Sequence, residues 1–209
     1  MNRKYRLHPI TSLSLALLWS LSGPQPLDAQ TCFRGKRSDS CRSFFITEFG
    51  YASRLNQSPD PSKDNFLYMW EFGFMVNRSE RSALGGTLYF GADDNGTRFA
   101  IKARWRRWLG DVGSLEVAPG IIVAGDDNHF DLNLPGFTGE VALNAADLFR
   151  VFLMVEVIKM EPLQHFPNIE PVGTDVAWFG GIKLGSYAGL VAAIAFPIAV
   201  GIALSASDW

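Results

Sequence analysis

Residues 65–77, NFLYMWEFGFMVN, place a large apolar side chain at every second position: Phe66, Tyr68, Trp70, Phe72, Phe74 and Val76. The positions between them are Leu67, Met69, Glu71, Gly73 and Met75. Side chains on a strand alternate between faces, so this spacing predicts one β-strand with a continuous aromatic face. A helix would scatter the same rings around its axis. The opposite face carries a carboxylate at its centre. A strand that is greasy on one side and ionic on the other separates two media.

The alternation recurs. Residues 43–53 set Phe45, Thr47, Phe49 and Tyr51 against Phe44, Ile46, Glu48 and Gly50. Residues 83–91 follow, and then Asn95-Gly96, a strong hairpin signal. In 97–109, Phe99, Ile101, Ala103 and Trp105 share one face, while Arg98, Lys102, Arg104 and Arg106 share the other. Further alternating segments lie near 115–123, 136–144, 150–158 and 175–185, and Pro119 marks a bulge or a local gap in the ladder. Eight candidate strands without a helical period before residue 185 predict an all-β, mainly antiparallel domain.

The polar faces of these strands hold five carboxylates (Glu48, Glu71, Glu116, Glu140, Glu156) and six bases (Arg98, Lys102, Arg104, Arg106, Arg150, Lys183). Near-balanced charges among small residues suit the packed interior of a narrow barrel, and they also suit a solvent-facing sheet. The connections differ by end. With the first strand taken as rising, the upper loops are 54–64, 92–96, 125–135 and 161–174, and the lower turns are 78–82, 110–113 and 145–149.

On this pattern the chain resembles the small eight-stranded outer-membrane barrels of Gram-negative bacteria, over residues 43–185. Strands of nine to thirteen residues suit a tilted membrane crossing. Aromatic residues near strand ends (Phe66, Tyr68, Phe90, Phe99, Trp105, Trp108, Trp178) suit interfacial girdles. The resemblance implies an antiparallel up-and-down eight-stranded β-barrel. Phe66, Tyr68, Trp70, Phe72, Phe74, Val76, Phe99, Ile101 and Trp105 would face lipid, and the eleven charged residues would form a lumen ion-pair network. The family usually ends on an amphipathic strand with a terminal aromatic residue. Here Trp209 is preceded at alternate positions by Ser207, Ser205 and Ala203, which form no hydrophobic stripe.

The N-terminus reads as a signal peptide over 1–29: Arg3, Lys4 and Arg6, an apolar run over 10–21, and a small residue at Ala29. Its removal takes three bases and one acid (Asp28) from the 19 and 21 of the whole chain, leaving 16 and 20, a net charge of −4. That balance argues against nucleic acid as a partner. The exported part has only Cys32 and Cys41, with eight residues between them, so a disulfide closing an N-terminal arm (30–42) is expected.

Residues 186–209 form an apolar C-terminal segment that includes 19 consecutive uncharged residues, 188–206. On length this is a transmembrane-helix candidate. Its Ala and Gly content, and Pro197 at its centre, also allow a packed helix, a plug or a strand pair.

The acidic turns at 92–96 and 125–131 bring candidate metal ligands: Asp93, Asp94, Asp126, Asp127 and Asp131. They lack EF-hand spacing, and solvated Asp/Asn turns are the plainer reading, so no metal and no cofactor is expected. Some small outer-membrane barrels are lipid-modifying hydrolases or acyltransferases, which need a nucleophilic Ser with a His and a carboxylate. The exported part offers only His129 and His165, in upper loops and outside any His-x-Ser or G-x-S-x-G element, so the reading is non-catalytic.

Three functional readings follow. The first is an outer-membrane barrel in contact with lipid, with a structural, adhesive or membrane-stabilising role and protein partners, if any, at its loops or C-terminal segment. The second is a periplasmic β-domain anchored in the inner membrane by 188–206, as an accessory subunit of a membrane complex. The third is a lipocalin-like binder of an apolar ligand, with the polarity reversed: greasy inside, ionic outside.

Overall fold

The structure, a computed structural model, describes residues 31–32, 42–58, 65–94, 96–110, 112–128, 130–145, 148–162, 173–186, 188–192 and 194–195. The expected signal peptide, Cys41 and residues 196–209 lie outside these. A two-residue strand β1 (Thr31–Cys32) is followed by β2 (Ser43–Arg54), β3 (Phe66–Ser79), β4 (Ser82–Asp93), β5 (Gly96–Leu109), β6 (Gly113–Asp127), β7 (Phe130–Ala145), β8 (Phe149–Pro162) and β9 (Gly173–Gly185). From β2 to β9 each strand pairs antiparallel with the next, and β2 pairs antiparallel with β9. The result is a closed, eight-stranded, up-and-down barrel, and closure leaves no long sheet edge unpaired.

The wall strands alternate as their sequences do, except at the upper end of β6, where residues 123–126 are all exposed. On β5, Arg98, Ala100, Lys102, Arg104, Arg106 and Trp108 are buried, while Ile101, Trp105 and Leu109 are exposed. The same holds on β3, where Leu67, Met69, Glu71 and Met75 point in and Phe66, Phe72 and Phe74 point out. The core is therefore the lumen. Opposite Pro119, which has no N–H to donate, the β5–β6 ladder skips from Lys102↔Gly120 to Trp105↔Val117.

The two ends differ less in loop length than the sequence suggests. At the lower end the connections are 80–81, 110–112 and 146–148; at the upper end they are 55–65, 94–95, 128–129 and 163–172. The expected long loop 125–135 is instead a tight hairpin. Its turn-like residues are held extended by pairing, with Arg98↔Gly125, Thr97↔Asp126 and Gly96↔Asp127 on one side and Phe130↔Pro162 to Asn133↔Lys159 on the other. Asp127 accepts a hydrogen bond from the Phe130 amide (3.2 Å), which stitches the turn.

The closing seam between β2 and β9 is short, running from Glu48↔Gly185 to Arg54↔Phe179. Below it, β2 is flanked instead by β1, through the parallel pairs Thr31↔Ser43 and Cys32↔Phe44, and by the start of the C-terminal segment. There Thr47 Oγ1 donates to the Ser186 carbonyl (2.8 Å). Residues 188–192 and 194–195 are helical. Among the described residues no helix is long and apolar enough to cross a membrane.

Candidate functional site

The lumen is built in layers. Its middle holds Glu48 from β2, Glu71 from β3, Lys102, Arg104 and Arg106 from β5, Glu116 from β6, Glu140 from β7, Arg150 from β8 and Lys183 from β9, all buried. Taking such a charge from water costs several kcal/mol unless it finds counter-charges and hydrogen bonds. Glu71 accepts from Lys102 Nζ (2.9 Å), Lys183 Nζ (2.6 Å), Thr87 Oγ1 (3.3 Å) and Arg104 Nη2. Glu140 accepts from Lys102 Nζ (2.9 Å), Lys183 Nζ (2.8 Å) and Arg150 Nη2 (2.6 Å). Glu48 is bridged by Arg104 (3.1 and 2.8 Å) and Arg150 (3.0 Å). Glu116 meets Arg104 Nη1 (2.9 Å), Arg106 Nε (2.7 Å) and Arg150 Nη1 (2.7 Å). Each of these carboxylates thus touches cations from at least two strands, which ties walls that are not neighbours across the barrel.

Room for the lysine stems comes from missing side chains. A Cβ on Gly50 would lie 2.5 Å from Lys183 Cγ, and one on Gly120 2.6 Å from Lys102 Cγ. Both glycines face inward, and their lack of a side chain lets a four-carbon stem lie along the wall.

Above the ionic layer sits an apolar one that includes Leu67, Met69, Ala100, Ile122, Phe152 and Met154. The two ammonium groups abut it: Lys102 Nζ is 4.2 Å from the Tyr89 ring centre and Lys183 Nζ 4.7 Å from that of Phe152, within cation–π range. A second polar set is embedded here. Tyr89 donates to Glu156 (2.9 Å), Arg98 Nε reaches Glu156 (3.4 Å), and Arg98 Nη2 reaches Asp93 (2.8 Å). Below the ionic layer, Phe44 and Trp108 close the foot with ring centres 6.0 Å apart, and Arg106 lies over both (5.3 and 5.2 Å).

All eleven charged residues picked from the sequence face this lumen. One other expectation is corrected. Trp108 is not in an outer girdle: it shares inward parity with Arg106 and donates from Nε1 to Asn77 Oδ1 (3.1 Å). The carboxylates of the acidic turns go to separate places. Asp93 is turned to Arg98, Asp126 accepts from Thr97 (Oγ1, 2.5 Å; N, 3.2 Å), Asp127 caps its own turn, and Asp131 is exposed. Among the described residues no group of three or more His, Cys, Asp or Glu stands close enough to hold an ion. Asp93 thereby joins the five carboxylates read from the sequence, a partner the sequence reading missed because the residue sits beside a turn. Tyr89 and Thr87 were also missed as network members, although their inward parity on β4 was readable.

Outside, Phe66, Phe72, Phe74, Ile101 and Trp105 are exposed, and Tyr68, Trp70, Val76 and Phe99 half-buried. Their partial burial comes from neighbours on the same face. Trp70 packs between Phe49 (5.3 Å) and Phe90 (5.5 Å), Phe45 meets Phe74 (5.4 Å), and Tyr51 stacks on Phe66 (5.4 Å). At about 3.3 Å per residue and a tilt of about 40°, Phe66 to Val76 covers about 25 Å of height, the apolar band of a membrane barrel. The lipocalin reading needs the opposite polarity, a greasy interior under an ionic surface. The molecule is instead an inside-out barrel, with the architecture of a small membrane β-barrel.

No protein-family model and no curated protein matches the chain. Among solved structures it is similar to a barrel from the de novo design of transmembrane β-barrels, at 11% identity, covering 68% of this chain and 93% of the other, with a TM-score of 0.34. It is also similar to the Yersinia pestis outer membrane protein Ail in a phospholipid bilayer nanodisc, at 12% identity, covering 68% of this chain and 97% of the other, with a TM-score of 0.37.

Proposed function

We propose that this chain is an exported outer-membrane barrel with a structural, adhesive or membrane-stabilising role and no catalytic activity. One observation carries the reading: ion pairs fill the inside while a tall apolar and aromatic band covers the outside. Only a hydrocarbon surround makes that distribution favourable, because in water the exposed Phe, Trp and Ile would drive aggregation. Among the described residues, Lys102, Arg104, Arg150 and Lys183 cross the lumen, with Phe44 and Trp108 at the foot, and leave no wide aqueous path. That favours work done at the rims and long upper loops over solute passage.

The test is fractionation of the native protein, followed by a gel of unboiled and boiled samples. The expected result is outer-membrane sedimentation with a heat-dependent shift in mobility, and no stepwise conductance in planar bilayers. Full solubility without detergent, or recovery with the inner membrane, overturns the assignment. Incubation with phospholipid vesicles is expected to release neither fatty acid nor lysophospholipid.

A further inference from the structure

Among the described residues, the exposed charges at the two rims are mostly of opposite sign. At the lower end, four exposed arginines gather on one half of the circumference: Arg42, Arg78, Arg81 and Arg107. Backbone contacts place them side by side. The Arg42 carbonyl accepts from the Asn77 amide (2.8 Å), the Arg81 carbonyl accepts from the Trp108 amide (3.0 Å), and Ser82 pairs with Arg107. Arg78 occupies the irregularity between Asn77 and Ser79. The four therefore lie on the feet of β2 to β5, an arc of about 14 Å at about 4.8 Å per strand. Among the described residues, Glu80 is the one acid in this arc. The upper rim instead exposes Asp94, Asp126, Asp131 and Glu161, with Lys159 paired to Glu161 (3.2 Å).

Depth adds a second constraint. Arg78 is the next outward position below Val76, where the apolar stripe of β3 stops, and Arg107 is the next below Trp105 on β5, with exposed Leu109 one outward position further down, so both lie at the lower edge of the apolar band. Arginine there lays its methylenes along the apolar wall and its guanidinium among headgroups, where it can grip phosphate bidentately. A general requirement for solubility would not place four such groups on one half of one rim.

We propose that this basic half-rim holds the phosphates of anionic glycerophospholipids in the leaflet at the lower end of the barrel. The proposal rests on the membrane-barrel reading above. The test refolds the full chain into vesicles of phosphatidylcholine alone, then with added brominated phosphatidylglycerol or, at equal mole fraction, brominated phosphatidylcholine. Tryptophan quenching is the readout, since Trp105 lies on the same outward face as Arg107. Expected are insertion into pure phosphatidylcholine, several-fold stronger quenching by the anionic lipid, and decay of that excess as salt rises. In the variant Arg42→Gln, Arg78→Gln, Arg81→Gln, Arg107→Gln the two lipids should quench equally, with the heat-dependent gel shift retained. Equal quenching of the wild type, or an excess that survives the substitutions, overturns the proposal. Should that variant not fold, an excess indifferent to salt in the wild type overturns it. Failure to insert into pure phosphatidylcholine removes the barrel reading itself and this proposal with it.

Discussion

Arg104 and Trp105 are chain neighbours living in opposite worlds. The arginine is buried among Glu48, Glu71 and Glu116, while the tryptophan is 39% exposed on the outer wall. In a water-soluble sheet these two side chains would trade places. The contrast shows that burial and polarity are separate variables. The inside of this barrel is sealed by charge neutralisation, and the outer stripe from Phe66 to Val76 is stabilised by carrying no charge.

The substitution expected to hurt most attacks the inner half of that contrast. Glu71→Leu strips a shared partner from Lys102, Arg104 and Lys183 and should cost about 3–5 kcal/mol, measured by urea unfolding in vesicles. Wild-type stability in this variant would mean that the interior is wet and the charges are ordinary surface. Next comes the outer half. Phe72→Arg, midway along the aromatic stripe, should cost about 2–4 kcal/mol in vesicles, whereas Phe66→Arg at its upper end should cost about 0–1 kcal/mol. Equal penalties would remove the depth gradient that a bilayer imposes. Third, Arg54 at the upper rim makes a bidentate pair with Asp175 (3.0 and 2.7 Å). Arg54→Ala should cost about 1.5–3 kcal/mol and destabilise the adjoining seam, read by hydrogen exchange at Leu55, whose amide donates to the Trp178 carbonyl. The smallest expected effect inside the lumen is Tyr89→Phe, which removes only the hydroxyl on Glu156 and should cost about 1 kcal/mol.

The fold was legible because period-two alternation is local: β3 and β5 announce both faces within a dozen residues. The inward set, from Glu48 to Lys183, came from the same parity. What escaped the sequence depends on distant strands. No local signal shows that Gly125, Asp126 and Asp127 would be kept extended by Arg98, Thr97 and Gly96, so a hairpin read as a loop. Trp108 had the right parity for the lumen, but aromatic residues near strand ends are usual at interfaces, and that association outweighed its register. Asp93 looked like turn chemistry until Arg98 was seen beside it. Which carboxylate serves which cation is a three-dimensional matter, fixed by closure of the ring.

The short seam has a consequence for how the molecule is made. Glu48 sits on the first long strand and Lys183 on the last, and both complete a network whose other cations come largely from β5. A nascent sheet lacking either terminal strand would leave that cluster with an unmatched ion in a greasy setting. Biogenesis is therefore expected to be all-or-none: zipping of the two ends and neutralisation of the interior occur as one late event, and half-built intermediates have no stable place in the bilayer.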